Sequence, residues 1–534
     1  MKDHRDRQFH NADFQFVRSP GASRYQVCTW ILLVSCCIHN AFSLASPPSL
    51  STDLPHSDER IRRVISTKRD GGHFTVFSLA DSEDSTAASS SSGRSELNSR
   101  LNVGRVLLRN VQSGLRSTFL PSGYPARTPP GYLRYSVWSW VQDLSTQLRS
   151  VLATQRVLEG VGVGREGATA LSALLNFLVR DGCGMAASLA FTSAAASRFQ
   201  SDVKRWRIFA DVMVDIGITL EVAASACPPT LFLPMISLGN ACKAMCGVAA
   251  GACGGAINLH WAKGSDISDI QAKFGAQHTV TGSLGLVFAA FFAKSVSTVP
   301  GGRLWILYAA LTALHVMANL RCMRIIHFDV FNTTRLRLVL RALFESGTLS
   351  NKTAVTTAEN GSVFENPPFP KTMPTPSEIA QIEPLLFLPQ PASVPIYFGV
   401  SFDRFAKLSG KPRAELEDSL LYREHESYII SSAASSSLIS MGNGRRCVVV
   451  ALSSECTPIV QIQAYYHAFL LARLLSHLKP FERNGPREDS DRAESAARQQ
   501  VQEYWKSFVD AAHHKGWDLT KTQLRTQGYE IEIQ

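Results

Sequence analysis

The feature that most constrains this chain is an apolar segment at residues 227–256. It encloses Asn240 and Lys243 and repeats glycine every fourth residue, at Gly247, Gly251 and Gly255. Residues four apart fall on one side of a helix. With no side chains on that side a second helix can approach closely, and in lipid this small-xxx-small spacing is a helix-packing face. The segment belongs to a longer stretch, residues 160–320, that is almost continuously apolar. A helix needs about 20 predominantly apolar residues to cross a bilayer. Residues 280–299 meet that length, with Lys294 near the end where its ammonium can snorkel. Residues 304–320 fall slightly short. Residues 168–179 and 185–197 are each too short and flank Arg180-Asp181-Gly182-Cys183-Gly184, which predicts one broken helix or a re-entrant pair. The series predicts a mainly α fold with a membrane-embedded helical central domain of about four to six spans or re-entrant segments.

Charge inside such a block is informative, because it is costly against lipid and turns toward a bundle interior, a cavity or water. Arg180, Asp181, Asp211, Asp215, Glu221 and Lys243 are the residues in question. Asp211 and Asp215 are four apart on one helix face, a pair that could relay protons or hold a cation, while Glu221 falls on another face. The basic-aromatic run Lys204-Arg205-Trp206-Arg207 precedes them. The competing account is a soluble helical core in which residues 208–226 form an amphipathic helix. Asp266, Asp269, Lys273 and Gln277 fall on a polar connector, where solvated charge is the default. His260, His278 and His315 read as hydrogen-bonded structural histidines.

Several function classes are excluded or disfavoured by composition and motif. Of 534 residues 45% are hydrophobic and 18% charged, with a formal net charge of +10. The charges crowd the two ends, with no aromatic-interleaved basic patch. That favours anionic lipid headgroups or topology control over nucleic acid. The eleven cysteines show no CxxC and no zinc-like spacing with histidine, so neither a disulfide framework nor a metal site is expected, and no cofactor. A nucleophile elbow, a Walker loop and HExxH are all missing from the sequence. Gly162, Gly164 and Gly167 spell GxGxxG, but Asp181 follows inside an apolar helical pattern rather than at a strand end. The glycines read as a flexible entry into a packed helix.

The flanks have a different texture. Residues 1–46 combine a basic lead with the apolar run 27–38, a signal, anchor or organelle pre-sequence. Residues 47–118 read as a disordered Ser/Arg-rich linker. The aromatics Tyr132, Tyr135, Trp138 and Trp140 suit either a membrane interface or the start of a packed core. The helical domain takes in 119–347, and 348–390 is a Pro/Thr-rich linker. Residues 391–534 predict a small α+β domain. Its strands are expected at 396–401, 428–431, 446–452 and 529–533, its helices at 413–422, 459–478 and 492–513, and a loop at 431–437.

Several of these stretches together resemble a known family. FLPSGYP (119–125), VLEGVGVG (157–164), RDGCGM (180–185) and KRWRIFADVMVD (204–215) come first. Glu221, NACKAMCGVAAGA (240–252), DISDIQAK (266–273), Gln277 and Thr279 follow. In this ordered set the region 119–347 resembles the root UVB sensitive (RUS) family, formerly a domain of unknown function. The chain departs from the family's usual pattern at Ser139, where an acid is usual, at Cys253-Gly254, where Thr-Arg is usual, and at His278, where Glu is usual. The resemblance implies a membrane-associated protein. It links plant members to plastids, early seedling development, light response and vitamin B6 homeostasis, and it supplies no catalytic residue.

The resulting expectation is a non-enzymatic RUS-type membrane protein that transports or senses a small polar metabolite, with vitamin B6 as the implied link. The candidate polar residues are Arg180, Asp181, Lys204, Trp206, Arg207, Asp211, Asp215, Glu221, Asn240, Lys243, Asp266, Lys273 and Gln277. The expected partners are membrane lipid and a second RUS-like chain, identical or not, and the expected place is a plastid-type or other organelle membrane. The alternatives are a membrane scaffold assembling a complex, and a soluble helical enzyme acting on B6-related metabolites.

Overall fold

The computed structural model describes residues 65–68, 74–77, 111–162, 169–296, 301–345, 373–386, 394–409, 427–434, 446–478 and 488–526. The expected targeting segment, the helix at 413–422 and the strand at 529–533 lie outside them. So do Gly164, Gly167 and most of the linker at 348–390. Within the stretch expected to be disordered, β1 (Ile65–Lys68) and β2 (Phe74–Phe77) pair in a two-stranded sheet, and residues 111–119 are helical. The chain divides into two units, of which the smaller holds that sheet except Lys68 and the larger the elements that follow.

Six long helices form the central region: α1 (Tyr132–Val161), α2 (Ala170–Ala195), α3 (Val203–Ala224), α4 (Pro229–Trp261), α5 (Ile267–Val296) and α6 (Gly301–Ile325). Their ends follow local chemistry. Thr169 caps α2 by accepting from the Ser172 N–H at 3.2 Å, and Pro229 opens α4 where its missing N–H costs nothing. Gly162 closes α1 in a left-handed conformation, φ 93°, that a side chain would resist. α2 runs without interruption through Arg180–Gly184, which corrects the expected break: two glycines in an otherwise favourable run cost less than leaving helix hydrogen bonds unmade. The expected connector at 266–277 is also corrected, since Asp266 precedes α5 by one residue and Asp269, Lys273 and Gln277 lie within that helix. The apolar stretch from residue 280 is therefore the second part of a longer helix with a polar start.

α3 lies at the centre, packed on α4, α1 and α6. Its closest approach is to α4, where Gly217 and Gly239 face each other. A Cβ on either would sit 2.6–2.8 Å from the other's carbonyl oxygen. These are the packing glycines of the bundle. Gly247, Gly251 and Gly255 have nothing within 4 Å of a built Cβ, so among the described residues the expected ladder packs against no helix. Tyr132 and Tyr135 resolve to the core, against Trp261 and Phe274 at ring distances of 5.2–6.0 Å. Three helical stretches among the described residues are long and apolar enough to cross a membrane: Ala170–Arg198, Pro229–Trp261 and Gly302–Ile325.

The C-terminal part is α+β. β3 (Val330–Asn332) leads into α7 (Thr333–Glu345). α8 (Pro376–Ile382) opens with a capping box in which the Thr375 and Glu378 side chains satisfy each other's backbone N–H. β4 (Ile396–Phe398), α9 (Phe402–Ser409), β5 (Tyr428–Ala434) and β6 (Arg446–Leu452) follow, then α10 (Pro458–Ser476), α11 (Glu488–His514) and β7 (Asp518–Gln523). β6 is central, parallel to β4 and antiparallel to β5. It is buried on both faces: Val448, Val450 and Leu452 join the core of α7, α10 and α11, while Cys447, Val449 and Ala451 pack with Phe405 of α9. Ser432 to Ala434, expected in a loop, extend the expected strand as part of β5, where Glu494 accepts from the Ser432 N–H at 2.6 Å. β3 pairs in parallel with β7, and Phe331 stacks on Trp517 at 4.2 Å.

Candidate functional site: a polar spine along the central helix

The charged residues of α3 are spaced so that each meets a different neighbour. Lys204, fully buried in the first turn, pairs at 3.0 Å with Glu383, which is also held by Arg335 at 3.1 Å. This triad ties the helical region to the α+β part. Burial pushes the Lys204 ammonium down to about 8 against the opposing pull of Glu383. For Glu383 burial acts upward, but Arg335 and Lys204 outweigh it and hold the carboxyl below its usual range. One turn on, Arg207 donates to Asp211 at 2.9 Å. Asp215 then accepts from the completely buried Arg149 of α1, and His315 Nδ1 of α6 lies 2.9 Å away. Asp211 and Asp215 are thus spent on cations and do not form an open carboxylate pair. No group of three or more His, Cys, Asp or Glu among the described residues could hold a metal ion.

At the far end of α3 five of the residues singled out in sequence converge. Glu221 accepts from Lys243 at 2.6 Å and lies 3.4 Å from Arg180 Nη2. Asn240 closes the group, donating to the Arg180 carbonyl at 3.2 Å and to Asp181 at 3.3 Å. Gly184 makes room for it, because a Cβ there would stand 2.5 Å from Asn240 Nδ2. α2, α3 and α4 therefore meet around two cations and two anions, of which Glu221 is buried while Arg180, Lys243 and Asp181 remain partly open to solvent.

The remaining candidates are accounted for differently. Asp266 caps its own turn through Ser268. Lys273 donates to the Ser117 carbonyl at 2.6 Å, Asp269 accepts from the Ser122 N–H at 2.7 Å, and Gln277 donates to the Phe119 carbonyl at 2.7 Å. The DISDIQAK motif and Gln277 thus clamp the FLPSGYP segment. Trp206 donates to the Arg198 carbonyl at 2.9 Å inside a cluster with Phe191, Phe199 and Phe209. His278 meets Asp143 at 3.2 Å, whereas His260 is buried with both ring nitrogens unpartnered among the described residues, against expectation. Arg149, Arg335, Glu383, Gly217 and Gly239 were not singled out in sequence.

Two cavities open beside the first half of α3. The larger, about 390 Å3, is lined by Arg198, Arg205, Trp206, Leu385, Leu386 and Arg525 among others, at the junction with the α+β part. The smaller, about 240 Å3, lies among α1, α3, α4 and α5, with Arg207, Asp143, Trp140, Asn258 and Gln277 in its lining. Ser139, Gly254 and His278, three of the positions at which the chain departs from the usual family pattern, also line it.

A bundle with a charged spine beside long, uncovered apolar helices, joined to an α+β part, is the class of protein these features define. The comparisons give its family. Residues 107–347 match the model described as "Vitamin B6 photo-protection and homoeostasis domain", and residues 372–532 match "Root UVB sensitive protein, C-terminal". The chain belongs to the root UVB sensitive family. It is 32% identical over 241 residues to "Protein root UVB sensitive 3" of Arabidopsis thaliana, covering 45% of this chain and 54% of that one. It is 29% identical over 294 residues to "RUS family member 1" of Dictyostelium discoideum, covering 54% and 51%. To "Protein root UVB sensitive 2, chloroplastic" of Arabidopsis thaliana it is 34% identical over 229 residues, covering 43% and 52%. The matches span about half the length of these relatives. No solved structure matches.

Proposed function

We propose that this chain is an integral membrane protein that binds and passes a small polar metabolite, with a B6 vitamer as the first candidate. The observation that carries this is α2. Leu171, Leu174, Leu175, Leu178, Met185 and Leu189 are all exposed on it, Leu189 by 74%; one side of the helix packs on α4 through Gly184 and Asn240, and among the described residues nothing covers those exposed side chains. A monomer in water rarely leaves so long an apolar surface open, and the hydrocarbon of a bilayer covers it. Arg180 sits on the same helix and turns toward Glu221, which Lys243 also meets, so charge lies inside the bundle beside that exposed apolar surface, while the more exposed Asp181 meets Asn240. The vitamer follows from the family description, and the relative named chloroplastic makes a plastid membrane the first location to examine.

The test is uptake of labelled pyridoxal, pyridoxine and pyridoxal 5′-phosphate into liposomes carrying the purified chain. Saturable uptake above protein-free liposomes, lowered about tenfold or more by Glu221→Gln, is expected, since one charge-assisted contact carries that much. Uptake indistinguishable from protein-free liposomes refutes the transport reading. A scaffold reading has one observation in its favour: Gly247, Gly251 and Gly255 leave a small-residue face open to a second helix. Gly251→Leu abolishes assembly on native gels if that reading holds, and unchanged migration sinks it.

A further inference from the structure

We propose that the smaller cavity, between α1, α3, α4 and α5, is a binding site for one planar heteroaromatic ring carrying both an anionic oxygen and a protonated nitrogen. The choice of ring chemistry rests on the metabolite reading above; the location does not. The volume, about 240 Å3, is just under the range of about 300–1,000 Å3 usual for drug-sized ligands, which suits one ring rather than a dinucleotide or a peptide. Its walls offer what such a ring requires. Tyr135, Trp140 and Phe274 present aromatic surface. From α3 comes the Arg207 guanidinium, 21% exposed; among the described residues its one ion pair is from Nη1 to Asp211, and the rest of its fork is offered to an anionic oxygen. From α1 comes the Asp143 carboxylate, met on one side by His278 and otherwise available to a ring N–H.

The walls are also held in place before any ligand arrives. Trp140 donates to Gln277 at 3.3 Å, and Gln277 is itself fixed by Phe119 and Tyr132. Pre-ordered walls lower the ordering cost of binding. On α4 the wall is open at Gly254, where a built Cβ meets nothing within 4 Å. A glycine in mid-helix costs helix stability relative to other residues. The space it leaves belongs to the cavity.

Gly254 suits the test, because a Cβ there meets nothing within 4 Å and a larger side chain starts at the cavity wall. Binding of 3-hydroxypyridine and of pyridoxine is measured by titration calorimetry on the purified full chain. The wild type, Gly254→Leu, Asp143→Asn and the control Gly282→Leu are compared; Gly282 is a helical glycine with equal free space that does not line the cavity. Wild type and G282L should bind alike. G254L should lose binding by about a hundredfold and D143N by about tenfold, with thermal unfolding of G254L at or above that of wild type. Equal affinity in G254L and G282L overturns the site while leaving the metabolite reading in place. Binding of 3-hydroxypyridine that G254L abolishes, with no binding of pyridoxine, keeps the site and removes the vitamer. No saturable binding of either probe to wild type overturns both.

Discussion

Asp215→Asn should be the most damaging single substitution along the spine. The Arg149 side chain is 0% exposed, and its strong partner is the Asp215 carboxylate. Its other contacts are the Ser145 carbonyl at 3.3 Å and the Thr146 and Thr312 hydroxyls at 3.5 Å, too long to carry a charge. The amide keeps the shape of the carboxylate and removes the charge, leaving a guanidinium buried without an anion. Breaking one side of a buried pair costs about 3–5 kcal/mol, whereas replacing both sides with apolar groups is near neutral. Arg149→Met with Asp215→Leu should therefore recover most of the loss and give a coupling of about 2–4 kcal/mol in a double-mutant cycle. Denaturant unfolding of the detergent-solubilised chain, followed by tryptophan fluorescence, reads these values. A loss under about 1 kcal/mol in D215N, or a double variant as unstable as the sum of the singles, would refute the argument that this pair is structural. The Glu221 cluster is the contrast. Lys243 and Arg180 keep 26% and 20% of their side-chain surface exposed, so water compensates for a lost carboxylate and Glu221→Gln should cost far less stability.

Two further outcomes follow from the packing. Gly217→Ala sets a Cβ 2.6 Å from the Gly239 carbonyl oxygen and should destabilise by about 1–3 kcal/mol through overpacking, while Gly251→Ala, in open space, should stabilise by up to about 1 kcal/mol; thermal unfolding separates them. Glu383, held below its usual range, contributes stability that is fully present above about pH 4.5 and is lost as pH falls through its lowered folded value. Wild type should thus weaken on acidification, and Glu383→Gln should begin about 3–5 kcal/mol lower at neutral pH with that part of the pH dependence gone.

What the sequence made legible was local. The strand at 446–452 and the helices at 459–478 and 492–513 could be read because period and turn residues act over a few positions, and β6, α10 and α11 fall on or within a few residues of those limits. The charges of α3 were legible as an anomaly, since apolar sequence around Asp211, Asp215 and Glu221 demands partners. The partners were not: Arg149 lies 66 residues from Asp215, and Glu383 lies in a segment that reads as linker. The packing glycines within the chain were hidden for a related reason. Spacing shows that Gly247, Gly251 and Gly255 share a side but not whether anything stands there, and the close contact instead pairs Gly217 with Gly239 across two helices. The expected break at Arg180–Gly184 came from counting two short apolar runs on either side of a charged pair, which the structure joins in one helix. Gly184 serves to admit Asn240, a contact between helices that no local pattern displays.

The most direct test of the membrane account is alkaline carbonate extraction of membranes from cells expressing the full chain with a C-terminal tag. The exposed apolar surface of α2, with the lengths of α4 and α6, predicts that the chain stays in the pellet with integral membrane proteins. Release into the supernatant would contradict it, and the surface of α2 would then have to be covered by another protein chain.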